Sequence, residues 1–232
     1  MRALVLILVL FQAALVLAAT TAAALPPGAI KYLPELVKAW RNSWPDNKYP
    51  WFLAGTIEQE TCISLKSKGC WNPNTELKTD REYGFGLGQL TVTKKFNGFE
   101  DTKKMSKELS SWKWDDRYNP YYQILGIIAL EKVNYSKIRG AETELDKQAF
   151  MLSAYNGGLG GVLKDRKLCT TVPGCNSNLW FGNVELNSFK SKVKPKGYGQ
   201  SFFDINRGYV HNIILIRSDK YKHEFSNFPG NS

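Results

Sequence analysis

Glu60 sits in the triplet Gln59-Glu60-Thr61. Downstream the chain reads Gly84-Phe85-Gly86-Leu87-Gly88-Gln89, and later Ala154-Tyr155-Asn156-Gly157-Gly158. A lone acid, a tight glycine turn ending in an amide and an aromatic-Asn-Gly corner suit the cutting of a sugar chain by proton transfer. Breaking a glycosidic bond requires a proton delivered to the departing oxygen while an oxocarbenium-like centre develops. A carboxylic acid keeps that proton near neutral pH only where burial opposes its ionisation. Glu60 has the spacing for this, because Leu53, Thr56, Ile57 and Glu60 recur every three or four residues and share one helical stripe. Glu58 lies about 200° around the same helix and is expected to face another way.

The two-carboxylate route needs a second acid about 5–10 Å from the first. Glu58 is on the wrong face. Glu82 and Asp80, ahead of the glycine turn, are candidates and Glu76 a weaker one, although a surface ion-pair role suits all three. Without a second acid the substrate must provide the missing group. His211 and His223 are far apart and join no metal-ligand pattern, and the chain has no Ser-His-Asp set or phosphate-cradling loop. No metal and no cofactor is expected.

Several elements must bring these residues together. Leu33, Leu36, Val37 and Trp40 predict an amphipathic helix over 32–43. Pro45 and Pro50 break the chain before a second helix over 51–61. Residues 62–80 read as polar loop containing Trp71-Asn72-Pro73, and Gly84, Gly86 and Gly88 predict a turn or short irregular ribbon. The stretch 119–132 is apolar on most sides and reads as a buried central helix. Ala149, Phe150, Leu152 and Ser153 mark a helix ending at Asn156-Gly157-Gly158. Tyr209, Ile213 and Ile216 mark a last one over 206–219, while residues 96–118 show no clear pattern. The expected class is α+β, predominantly helical, one domain over 25–232 with a small irregular or β-like flap.

These motifs, in this order, resemble the soluble lytic transglycosylases and their goose-type lysozyme relatives. The family's Ile-x-x-Glu-Ser resembles Ile57 to Thr61, its Phe-Asn-Pro resembles Trp71-Asn72-Pro73, and its Gly-Leu-Met-Gln resembles Gly86 to Gln89. Its Ala-Tyr-Asn-Gly-Gly matches Ala154 to Gly158 unchanged, and its late Tyr-Val resembles Tyr209-Val210. The resemblance covers most of residues 50–217 and implies a lysozyme-like catalytic domain. It implies Glu60 as the single acid/base, Gln89 as a ligand or positioner in the groove, Tyr155 and Asn156 lining the sugar site, and Tyr209 near the acid. The implied reaction cleaves the bond between N-acetylmuramic acid and N-acetylglucosamine and leaves a 1,6-anhydro end without consuming water. Bland readings stand beside these roles: Tyr155 and Tyr209 as core aromatics, Gln89 as a cap on backbone groups, Asn156 as a left-handed helix terminator.

The chain departs from the family at three places. Cys62 to Cys70 reads as an insertion, Gly88 replaces the Met of the glycine motif, and Ile205 stands where an acid usually opens the last motif. The alternatives to a transglycosylase are a goose-type lysozyme-like hydrolase that uses water, and a non-catalytic basic protein that binds cell wall or disrupts membranes.

The start of the chain reads as a targeting segment. Arg2 precedes an apolar run that reaches Ala19 with Gln12 as its only polar interruption, and Ala22-Ala23-Ala24 offers a small-x-small cleavage site. Residues 1–24 are therefore a cleaved signal peptide or a weak anchor, since the run, on the order of 17 residues, is at the short end for a bilayer span. Either way the domain is exported, to periplasm or cell wall, and touches the inner membrane only through this segment. Some phage endolysins of the resembling group are held and released by such a segment, and the chain is most like these.

Cys62, Cys70, Cys169 and Cys175 suit an oxidising compartment. Their spacings of eight and six residues favour the pairs Cys62–Cys70 and Cys169–Cys175 over a four-thiolate zinc site. The net charge of +10 points to anionic envelope polymers. Nucleic acid is not expected, because the basic residues show no aromatic interleaving and no recognition motif. The densest basic run, Lys190 to Lys196, reads as a solvated loop or a docking patch. Peptidoglycan strands are the expected partner of a monomeric protein.

Overall fold

The computed structural model describes residues 24–195 and 199–227. The choice between signal peptide and anchor, and Lys196 of the basic run, lie outside them. The element order is α1 (Pro27–Ser43), α2 (Trp51–Thr61), β1 (Glu76–Lys78), β2 (Glu82–Phe85), β3 (Leu90–Thr93), α3 (Gly98–Lys103), α4 (Pro120–Lys137), α5 (Glu144–Gly157), α6 (Leu159–Cys169), α7 (Phe202–His211) and α8 (Lys222–Asn227). The class is α+β and mostly helical, as expected.

α1 starts ahead of its predicted span because Pro27 fits the first helical turn, where a missing N–H is harmless. α2 covers its predicted residues and is buried from Phe52 to Glu58. Phe52 joins an apolar cluster with Phe150, Trp180 and Ile213, whereas Leu53, Ala54 and Ile57 join another with Leu36, Trp71 and Ile128. α2 is therefore wedged between two cores. Tyr155, at the end of α5, packs against both, so the C-terminal turn of α2 and the end of α5 share the seam.

The flap is a three-stranded antiparallel sheet in the order β1-β2-β3. Two expectations are corrected here. Residues 62–80 are not all loop, since Glu76 to Lys78 pair with Tyr83 to Phe85. Gly84 sits in a regular strand opposite Leu77 and Thr91, and of the three glycines only Gly86 takes a left-handed backbone, at φ 76°. The glycine at 84 serves packing: a Cβ there would lie 3.0 Å from Gln89 Oε1. At Gly86 a Cβ would lie 2.6 Å from Gln123 Cδ. Gln123, buried on α4, accepts from Leu87 N at 2.8 Å and donates to Pro73 O at 2.9 Å and Arg117 O at 2.7 Å. It pins the glycine turn to the Trp-Asn-Pro segment. Gly86→Ala therefore meets both a backbone strain and a clash and should cost about 1–3 kcal/mol. A thermal melt equal to wild type would contradict this.

α4 starts where expected, with Asn119 accepting from Tyr121 N, and continues past the expected end to Lys137; α5 begins ahead of its apolar residues, at Glu144, where Thr143 accepts from Asp146 N. The predicted last helix over 206–219 is corrected more substantially. α7 starts at Phe202, capped by Ser201 accepting from Asp204 N, and gives way to a π-helical run, Asn212–Arg217. Ser218 closes that run by donating both its N–H and its Oγ–H to Ile213 O. The cysteines pair as Cys62–Cys70 and Cys169–Cys175, which removes the four-thiolate alternative.

Candidate active site

Glu60 lies in the last turn of α2, where the Tyr209 hydroxyl donates to its Oε1 at 2.7 Å. Burial pushes the Glu60 pKa from 4.5 up to about 7, against the opposing pull of that hydrogen bond. The carboxyl forms part of a cleft of about 440 Å³ that Gln89, Tyr155 and Asn156 also line. The structure thus brings the five residues singled out in the sequence together, four of them lining the cleft; Tyr209, 4% exposed, is not among the lining residues and reaches the site through Glu60.

Each neighbour is fixed in turn. The Tyr155 hydroxyl donates to Gly88 O at 2.9 Å, and its ring stacks on Tyr209 with centroids 6.2 Å apart. A Cβ on Gly88 would lie 2.6 Å from Tyr155 Oη and 2.7 Å from Ile127 Cγ1, so a side chain at this position has no room. Gln89 has a left-handed backbone, φ 45°, and its Nε2 donates to Thr75 O at 3.1 Å and Gly86 O at 2.9 Å. Its amide N–H groups hold the flap while the residue lines the cleft. Asn156 is exposed, and its Oδ1 accepts from buried Asn206 at 3.0 Å. The left-handed terminator of α5 is Gly158, φ 78°, not Asn156.

Glu58 does face another way, but into the protein. It is 1% exposed and accepts from Lys220 Nζ at 2.8 Å, from Arg217 Nη1 at 3.2 Å and from the Tyr221 hydroxyl at 2.5 Å. Of the possible second acids, Glu76 and Glu82 line the cleft and Asp80 does not. Glu76 accepts from the hydroxyls of Tyr83 and Tyr118 and is held below the ordinary carboxylate range chiefly by these bonds. Within the basic run Lys190 departs from the solvated-loop reading, its side chain only 16% exposed and reaching Asp165, whereas Lys192 and Lys194 are exposed as that reading expects.

Sequence reasoning missed Glu131. It is fully buried on α4, accepts from Thr56 Oγ1 at 2.7 Å, and its Oε2 has no partner among the described residues. Burial pushes its pKa up to about 8, helped by the Glu60 charge and opposed by the Thr56 bond. An acid directly after an apolar helical run was the available signal. A carboxyl raised from 4.5 to about 8 stabilises the native state fully below 4.5, and that stability is lost as pH rises through 8. Glu131→Gln keeps an acceptor for Thr56 and removes the ionisation. Between pH 5 and pH 9 the variant should gain a few kcal/mol relative to wild type, of the order a shift this size implies. Denaturant midpoints at both pH values check this; a constant difference would refute it.

Comparison of the chain with protein-family models and with curated proteins gave no match. The functional reading therefore rests on the motifs and on this geometry.

Proposed function

We propose that this protein is a peptidoglycan-cleaving lytic transglycosylase with a lysozyme-like catalytic domain, and that Glu60 is its single acid/base. One observation carries the reading: a carboxyl raised to about 7 by burial, held by Tyr209, in a cleft lined by Gln89, Tyr155 and Asn156. A group with that proton affinity is poised both to give and to take a proton near neutrality.

In the proposed reaction Glu60 protonates the glycosidic oxygen, the bond from C1 to that oxygen breaks, and Glu60 is left as a carboxylate. It then takes the proton of the 6-hydroxyl of the same muramic acid while that oxygen bonds to C1. The product is a 1,6-anhydro end, Glu60 is again protonated, and water is not consumed. The internal hydroxyl wins by proximity, since well-oriented intramolecular attack reaches effective concentrations of roughly 10⁵–10⁸ M. Tyr209 holds the carboxyl in one orientation through both steps. Two disulfides suit action in an oxidising compartment, consistent with an exported, endolysin-like role on the host wall. The net charge of +10 favours approach to the anionic envelope.

A second reading has a specific observation behind it. Glu82 lines the same cleft, and a carboxylate there could activate water, giving the hydrolase outcome of a goose-type lysozyme. Mass spectrometry of soluble fragments released from purified sacculi separates the two. Anhydro ends are expected; reducing ends alone would transfer the assignment to the hydrolase, and no fragments at all would leave a wall-binding protein.

A further inference from the structure

Beyond Asn156 the cleft does not end. A second compartment of about 440 Å³ shares Glu82, Thr91 and Asn156 with the Glu60 cleft and is completed by Lys190, Phe202 and Ile205. A polymer lying over Glu60 and continuing past Asn156 enters it.

The Lys190 side chain is only 16% exposed, and its ammonium makes one hydrogen bond among the described residues, a long one of 3.5 Å to Asp165 Oδ2. That oxygen is already engaged by Arg207 Nη2 at 3.0 Å and Ser188 Oγ at 2.8 Å, while Oδ1 accepts from Phe189 N at 3.0 Å. Two cations therefore share one buried carboxylate, and Arg207 has the closer contact. An ammonium carries three donors, and a largely buried charge is stabilised only by a charged, hydrogen-bonded partner. Burial, the largest cause, accordingly lowers the Lys190 pKa. Glu82 stands in the same compartment on the flap side, so the compartment has an acidic and a basic wall and a polymer with one charged substituent would enter it in one orientation.

We propose that this compartment is a carboxylate-binding subsite in which Lys190 pairs with an acidic group on the amino-sugar strand. The inference rests on the glycan-strand reading above and deepens it. The carboxylate has two sources on such a strand: the lactyl group of a muramic acid whose peptide has been removed, or the stem peptide itself.

The test measures binding in the Glu60→Gln background, by calorimetry with three strands: peptide-bearing, peptide-stripped with free lactyl carboxylates, and stripped with those carboxylates converted to neutral amides. Lys190→Gln should weaken binding of carboxylate-bearing strands by about tenfold, the scale of one lost charge-assisted hydrogen bond. Neutralised strands should bind both proteins alike, and Lys190→Arg should restore affinity. A loss confined to peptide-bearing strands assigns the stem as source, a loss confined to stripped strands assigns the lactyl group, and a loss on both shows that the subsite takes either carboxylate. Equal weakening on all three strands, or no change on any, overturns the subsite while leaving the proposed function standing. Failure of the Lys190 protein to bind any strand overturns both. In the active background the change should fall on KM, with kcat held.

Discussion

Glu60→Gln should reduce release of soluble fragments from sacculi by about 10²–10⁴-fold, the usual range for removing a general acid–base. The upper part of that range is expected, because one group acts in both steps. The substitution is close to isosteric, and the amide oxygen can still accept from Tyr209. The melting transition should therefore persist, and so should binding to sacculi. The stability effect has a definite sign. Glu60 holds its proton to about 7 in the native state against 4.5, so native stability is fully present below 4.5 and lost as pH rises through 7. The Gln variant lacks that loss and should be relatively more stable at pH 8–9 than at pH 5. The same proton affinity gives wild-type kcat/KM a limb that falls as pH rises through about 7, since the first step needs the protonated acid. A Gln variant that still releases fragments at the wild-type rate would remove Glu60 from the mechanism.

Glu58, two positions away on the same helix, should behave in the opposite manner. Its carboxylate, 2% exposed at the side chain, pairs with Lys220 and Arg217 and accepts from Tyr221. Breaking a buried pair by deleting one partner costs about 3–5 kcal/mol, because the remaining charge is left uncompensated. Glu58→Ala should lose stability on that scale in a urea titration. Turnover per folded molecule, measured well below the melt, should stay near wild type. The reverse pattern, intact stability with lost turnover, would mean that the two acids have been assigned the wrong way round.

The sequence separated these two acids correctly by face, since a 3.6-residue period puts Glu60 on the stripe of Leu53, Thr56 and Ile57. It did not disclose that the other face would also be buried. Glu58 is covered by residues that follow it by more than 150 positions, and no local pattern reports such a contact. The glycine-rich turn before Gln89 and the helix end at Asn156 were legible because such signals are local, whereas the grouping of Gln89, Tyr155 and Asn156 at one site came from the resemblance of their motifs. Gln123 was not legible, because it sits inside an apolar helical run where periodicity reports burial and not the partner; Glu131, directly after that run, was signalled by position but not by partner. The β1 strand escaped notice because three exposed residues give no alternation to read. The break between α7 and the run after it was also invisible: its apolar spacing fits a continuous helix, and only the Ser218 bonds to Ile213 fix where the ladder changes.

That change of ladder separates two supports along one stretch of chain. A π-type turn amounts to one extra residue inside a helix, and each residue of an α-helix advances the phase by about 100°. Tyr209, which steadies Glu60, precedes the extra residue; Arg217 and Lys220, which hold Glu58, are at its end or beyond it. Excising Ile214 would restore ordinary phase and swing the downstream cations off Glu58, while leaving the tyrosine upstream in place. A single-codon deletion at this bulge would thus loosen the scaffold without touching the Glu60–Tyr209 hydrogen bond, so drift in the one is not tied to drift in the other.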